Sequence, residues 1–174
     1  MVTGRPFLTV DQIENRVKEL AAQISEDYEG KDILAVGIMK GAFMFFSDIV
    51  KLIQVPMDID FITVSSYVRK SSTGTLNFHA DLREDIRNRH VLLIEDIVDT
   101  GLTLNHIRSL LLERKPSSLK ICTFLNKKAC REIDVPLDYV GYDIPNHYIV
   151  GYGLDYENKF RNLPYISIFK EEST

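Results

Sequence analysis

Residues 91–104 read VLLIEDIVDTGLTL, and this stretch decides the fold. Val91 to Ile94 form an unbroken run of β-branched and leucine side chains, the composition of a strand buried on both faces of a parallel sheet. Open α/β sheets bind ligands in the crevice at the carboxyl ends of their strands, so Glu95 and Asp96 are expected at that rim. Asp99-Thr100-Gly101 then turns the chain, and Thr103 stands near the start of the helix expected next. Backbone N–H groups in such a turn, with the positive end of a helix behind them, suit a phosphate. Two carboxylates beside a phosphate make sense if they accept from sugar hydroxyls or hold a divalent cation. A ribose 5-phosphate satisfies both halves, whereas an ordinary strand-turn-helix with a solvated acidic rim would need no ligand at all. No Lys follows the turn glycine, as a Walker A loop requires, and the three spaced glycines of a dinucleotide fingerprint are missing.

With 174 residues and 45% hydrophobic content, the chain is expected to be one domain, residues 1–174, with enough interior for a sheet covered by helices on both faces. The longest apolar stretch, Ala42 to Ile53, is interrupted by Ser47, Asp48 and Lys51, which argues against a membrane span. No signal-peptide pattern opens the sequence, and a cytoplasmic location is the simplest expectation. Cys122 and Cys130, eight apart with no histidine ligand set nearby, argue against a zinc site or a disulfide framework. A net charge of −4 speaks against a nucleic-acid surface.

Around the opening motif, helices and strands alternate without internal repeats. Thr9 with Gln12 makes a capping box, and Ile13, Val17, Leu20 and Ile24 keep helical spacing up to Gly30. Ile33 to Ile38 predicts the first strand; Lys40-Gly41 follows, then a helix to about Leu52 whose Phe43, Phe45, Phe46 and Ile49 read as core. Met57 to Ser65 predicts a second strand. Ser66 to about Asp81 is polar and glycine-containing, and reads as a long mobile connection of the kind that serves as a lid. Leu119 to Leu125, Tyr139 to Tyr142 and a short run near Ile149 supply further strands. The alternation predicts a mostly parallel sheet with right-handed crossovers. His79 and His106 have no nucleophile or ligand partner nearby in sequence and read as structural or solvated.

The 91–104 segment closely resembles the phosphoribosyl pyrophosphate (PRPP) signature of type I phosphoribosyltransferases, and with Lys40-Gly41 and the segment from Gly141 to Tyr165 the resemblance narrows to the six-oxopurine members. It covers nearly the whole chain and implies the family's α/β fold: a mostly parallel sheet flanked by helices, a small hood built from the N- and C-terminal segments, and a flexible lid at about 66–81. The resemblance assigns the ribose phosphate to Glu95, Asp96, Ile97, Val98, Asp99, Thr100, Gly101, Leu102 and Thr103, where Leu102 replaces a residue that is often more polar. It gives pyrophosphate to Lys40, Gly41 and Arg161, with backbone amides at the Lys-Gly pair often set across a non-proline cis peptide. Tyr148 is placed on the purine ring and the backbone of Ile149 on its edge. Lys127 meets the exocyclic oxygen, a role that Lys128 takes if the register slips by one. Ser66-Tyr67 matches the lid pair. Mg2+ is implied at Glu95 and Asp96, and a second ion at Asp155.

The activity implied is transfer of a 5-phosphoribosyl group from PRPP to a six-oxopurine such as hypoxanthine or guanine, with release of pyrophosphate. Asp99 is placed beside the imidazole side of the base as the catalytic residue, either taking a proton or acting through its charge. The resemblance also implies a homodimer or homotetramer, without nucleic-acid or membrane partners. A regulatory protein that keeps the same fold as a PRPP sensor is the rival from another class. The sequence has no helix-turn-helix pattern to favour it.

Overall fold

A computed structural model describes residues 5–66 and 76–170. Six strands form the main sheet: β1 (Ile33–Met39), β2 (Met57–Ser66), β3 (Leu76–Ala80), β4 (His90–Val98), β5 (Ser118–Asn126) and β6 (Tyr139–Asp143). Their spatial order is β3-β2-β1-β4-β5-β6, all parallel except β3, which runs antiparallel along the end of β2. The chain order reverses direction between β1 and β4, so the crevice between their carboxyl ends is the switch point at which open α/β sheets take ligands.

Alternation along the strands divides the interior in two. Ile33, Ala35, Leu92, Ile94, Cys122 and Phe124 face helices α1 (Val10–Asp27) and α2 (Phe43–Val50), while Leu34, Val36, Val91, Leu93 and Ile121 face α3 (Leu102–Glu113). Helix α1 starts where expected, with both hydrogen bonds of the Thr9–Gln12 capping box present and Ile13, Val17, Leu20 and Ile24 buried. On α2, Phe45, Phe46 and Ile49 are core residues but Phe43 is exposed, contrary to the sequence expectation. At 100° per residue it sits more than a quarter turn from the middle of the stripe the other three share.

Two further differences come from pairing that one strand's sequence does not display. Strand β4 continues past Ile94 to Val98, because Glu95, Ile97 and Val98 lie in register with Thr123, Leu125 and Asn126 of β5. The carboxylates therefore project from the last residues of the strand rather than from a loop beyond it. Leu76–Ala80, expected to belong to the long connection, is strand β3, paired with β2 from Thr63 to Ser66. Tyr67, and with it most of the expected lid, lies outside the described residues.

A second small sheet pairs β7 (Ile149–Val150) with β8 (Ser167–Ile168), and Leu8 bridges Ile166, so the start and end of the described chain meet over the sheet. Among the described residues no helix is long and apolar enough to cross a membrane.

Candidate active site

The carboxyl ends of β1, β4 and β5 open into a cleft of about 420 Å3, also lined by Tyr148, Ile149, Leu154, Asp155 and Arg161. Of the ribose-phosphate residues expected from the sequence, Glu95, Asp96, Ile97, Asp99 and Thr103 line it; Val98, Thr100, Gly101 and Leu102 do not, and the Leu102 side chain is 45% exposed to solvent. Lys40, Gly41, Lys127, Tyr148, Ile149, Asp155 and Arg161 line it as well, so residues more than a hundred positions apart converge as the motifs imply. Ser66 closes β2, whose Val64 also reaches the cleft.

Glu95 and Asp96 are both buried, and no basic side chain is paired with either among the described residues. The Asp96 N–H donates to Glu95 Oε1 at 3.0 Å, and the Ile97 N–H donates to Asp96 Oδ1 at 2.9 Å. Burial, then the adjacent Asp96 charge, pushes the proton affinity of Glu95 well above the usual carboxylate range, and burial raises that of Asp96 too. A carboxyl whose folded-state pKa is raised stabilises the fold at low pH and loses that contribution as pH climbs towards the raised value. Glu95→Gln is therefore expected to raise the melting temperature of the ligand-free protein at pH 8. Relief of about 1–2 kcal/mol corresponds to roughly 2–6 °C in a chain of this size. Calorimetry at pH 4, where the cost of charging the buried Glu95 has faded, should show a smaller gain.

Such a pair could hold a cation or accept from sugar hydroxyls. Among the described residues no three metal-ligating side chains converge on one point. Hard carboxylate oxygens from one or two residues suit Mg2+, which keeps several waters and takes its other ligands from substrate phosphates rather than from an all-protein cage. Asp155 is a separate carboxylate: its Oδ1 accepts from Arg161 Nη2 at 2.7 Å and its Oδ2 from the Asn158 N–H at 2.7 Å.

Gly41 is where backbone and carboxylate approach most closely. A Cβ on Gly41 would lie 2.0 Å from Asp96 Oδ2, so only glycine lets this loop lie against the acidic pair. The cis peptide stands one bond earlier than the Lys-Gly pair, between Met39 and Lys40. Gly153, with φ +98°, passes so near the loop that a Cβ there would meet the Gly41 carbonyl at 2.1 Å. This contact joins the loop after β1 to the segment carrying Asp155 and Arg161. Arg161 Nη1 also donates to the Gly153 carbonyl at 2.7 Å, which aims its guanidinium along the same wall.

Across the cleft, Lys127 is only 7% exposed, and its Nζ lies 3.8 Å from Asp99 Oδ2. The sequence leaves Lys127 and Lys128 as alternatives, and the backbone separates them. A short 3-10 turn, Lys128–Cys130, begins directly after Lys127. It sends Lys128 outward to Asp143 Oδ2 at 2.7 Å. Only Lys127 reaches the cleft. Tyr148 is 54% exposed, its ring edge-on to Tyr156 at 5.6 Å and to Phe169 at 6.0 Å, and these two stack on each other at 4.1 Å. Tyr148 and the buried Lys127 ammonium line the same cleft, an aromatic ring and a charged donor of the kinds that a flat heterocycle could meet.

A larger hollow of about 660 Å3 lies beside the ends of β5 and β6. Its cations are already engaged: Arg16 donates to the carbonyls of Val140 and Gly141, and Lys128 is paired with Asp143. The smaller cleft has the buried Glu95–Asp96 pair and gathers the motif residues, and is the candidate site.

One residue of this neighbourhood went unnoticed in the sequence. Arg131 Nε donates to the Asp99 carbonyl at 3.1 Å, behind the turn. Its partners lie on other strands, and the only local signal is a third basic residue shortly after Lys127-Lys128.

Comparison with known proteins gives the same picture. Residues 9–157 match the family model of the phosphoribosyl transferase domain. The chain is 49% identical over 167 residues to a hypoxanthine-guanine phosphoribosyltransferase of Staphylococcus aureus, covering 95% of this chain and 93% of the relative. It is 45% identical over 168 residues to a hypoxanthine-guanine-xanthine phosphoribosyltransferase of Tritrichomonas foetus, covering 96% and 92%. The crystal structure of a hypoxanthine-guanine phosphoribosyltransferase from Bacillus anthracis superposes with a TM-score of 0.93 at 38% identity, over 98% of this chain and all of that one. The motifs, the parallel sheet with its cleft at the switch point and these relatives agree: the chain belongs to the phosphoribosyl transferase family.

Proposed function

We propose that this enzyme serves purine salvage, moving the 5-phosphoribosyl group of PRPP onto hypoxanthine, and onto guanine, to give IMP or GMP and pyrophosphate. The observation that carries the reading is that one cleft is lined by Lys127, Asp99 and Tyr148 together with Glu95, Asp96, Gly41 and Arg161. Tyr148 would stack on the base, the Ile149 backbone would meet its edge, and the Lys127 ammonium would donate to the exocyclic oxygen. An amino group at that position offers the ammonium no acceptor. Glu95 and Asp96 would fix the ribose hydroxyls while the anomeric carbon moves from pyrophosphate towards the ring nitrogen. As that bond stretches, negative charge grows on the leaving oxygens, where the backbone of Lys40-Gly41 and the Arg161 guanidinium would stabilise it. Asp99 would balance the charge that develops on the base or take its proton. Ser66, the last residue of β2, and Tyr67, outside the described residues, match the family's lid pair, which would cover the bound sugar and exclude water.

Mg2+ is the expected cofactor, held through Glu95 and Asp96 with a second ion at Asp155, and it would neutralise the pyrophosphate as it departs. Chelation with EDTA is accordingly expected to cut nucleotide formation from PRPP and hypoxanthine by about a hundredfold or more, with full recovery on adding excess Mg2+. A rate indifferent to chelation would contradict the metal assignment. The resemblance favours a homodimer or homotetramer, which light scattering of the purified protein decides.

A further inference from the structure

The turn after β4 is strapped from behind by the segment that leaves β5. The Val98 carbonyl accepts from the Lys127 N–H at 2.9 Å and from Arg131 Nη2 at 3.4 Å. The Asp99 carbonyl accepts from Arg131 Nε at 3.1 Å. The Thr100 carbonyl accepts from the N–H groups of Glu132 at 2.9 Å and Ile133 at 3.1 Å. Consecutive carbonyls thus all face residues 127–133. In a trans peptide the C=O of one residue and the N–H of the next point in opposite directions. Among the described residues the cis bond is at Met39–Lys40, so this rule governs the turn. The N–H groups of Asp99, Thr100 and Gly101 are therefore directed away from the strap, as a concave row of donors for an anion.

The fit is close. Gly101 has φ +84°, and a Cβ there would meet the Ile133 carbonyl at 2.4 Å and Arg131 Cδ at 3.1 Å. The guanidinium is itself anchored. Arg131 Nη2 also donates to Oδ1 of the buried Asn126, whose Nδ2 donates to Asp143 Oδ2's neighbour Oδ1 at 2.7 Å. A planar fork with several donors can meet these oxygens together, which a lysine ammonium in the same place cannot reproduce.

We propose that Arg131 is a positioning residue: anchored by Asn126, it turns the amides of Asp99, Thr100 and Gly101 towards the 5-phosphate of the bound sugar. Because Lys127 belongs to the same strap, the base-side lysine and the phosphate turn are held as one unit. The proposal rests on the PRPP reading above and adds a residue that makes no contact with substrate.

The test is calorimetric titration of the whole protein with ribose 5-phosphate, which needs neither base nor turnover, alongside steady-state kinetics with varied PRPP. Arg131→Met keeps the stem packed beside Gly101 and removes the fork; it is expected to weaken ribose 5-phosphate binding about tenfold or more and to raise KM for PRPP in parallel, with kcat at saturating PRPP changed less than about threefold. Arg131→Lys should fall between Met and the parent, a partial rescue that packing alone would not give. If Arg131→Met does not fold, Asn126→Ala, which leaves the arginine but removes its anchor, is expected to weaken binding about threefold or more. A folded Arg131→Met or Asn126→Ala protein that binds ribose 5-phosphate as the parent does overturns the proposal, as does a loss confined to kcat. A parent protein that binds no ribose 5-phosphate overturns the PRPP reading itself, so the two failures are distinguishable.

Discussion

Asp99→Asn is expected to lower kcat about a hundredfold while leaving KM for PRPP within about twofold of the parent, since positioned acid-base groups contribute 10²–10⁴ in rate. Asparagine keeps the shape of the side chain and one acceptor oxygen, so what is lost is the negative charge. The carboxylate is half exposed and lies 3.8 Å from Lys127 Nζ. Lys127 is buried in that pair, so the loss from a broken ion pair is gauged separately by Lys127→Met, and a loss in kcat for Asp99→Asn well beyond it assigns Asp99 to the charge that develops on the base. A loss no larger than that of Lys127→Met would reduce it to a partner of Lys127. Steady-state kinetics with saturating hypoxanthine and varied PRPP separates these outcomes.

Lys127→Ala is expected to lower kcat/KM for hypoxanthine by about 10–150-fold, the range that a hydrogen bond from a charged donor commands. The rate with adenine should scarcely fall, because adenine never used that donor, so the preference between six-oxo and six-amino bases collapses by the same factor. Lys127→Met, which retains most of the apolar stem, controls for packing and should show the same collapse. Lys128→Ala supplies the contrast. Its side chain is 71% exposed and paired with Asp143, so removing it should change kcat/KM no more than a few-fold. If Lys128 rather than Lys127 governed base choice, the direction in which the 3-10 turn sends each side chain would have been misread.

The parts of this molecule visible in the sequence are those whose signal is local. The unbroken apolar runs at Ile33–Ile38 and Val91–Ile94 announce buried parallel strands. The Thr9–Gln12 pair announces a helix start, and Asp99-Thr100-Gly101 announces a turn. What the sequence withholds depends on partners. Strand β4 extends through its own carboxylates because β5 offers a matching ladder, from Glu95 opposite Thr123 to Val98 opposite Asn126. Strand β3 exists because the end of β2 needs an antiparallel neighbour, and five residues between polar segments carry too little pattern to reveal it. The site divides in the same way. Glu95, Asp96, Gly41 and Tyr148 could be placed from motifs, but the choice between two adjacent lysines needed the backbone direction at residues 127–130. Arg131 could not be found at all, since its oxygens on Val98 and Asp99 lie more than thirty positions away.

The acidic pair illustrates a cost of function. Two adjacent buried carboxylates, with no basic side chain ion-paired to either among the described residues, are expected to weaken the fold at neutral pH, and the proposed contacts with sugar hydroxyls and a cation would relieve that cost. Sites of this kind are where a sequence optimised for stability alone would differ.

The most direct test of the central claim is to supply the purified protein with Mg2+, PRPP and each of hypoxanthine, guanine, xanthine and adenine in turn, following pyrophosphate release and nucleotide formation together. The account predicts stoichiometric nucleotide and pyrophosphate with hypoxanthine and guanine, at a kcat/KM about tenfold or more above that with adenine. Adenine turned over as efficiently as hypoxanthine would contradict the role given to Lys127, and PRPP binding without turnover of any base would replace the enzyme with a sensor.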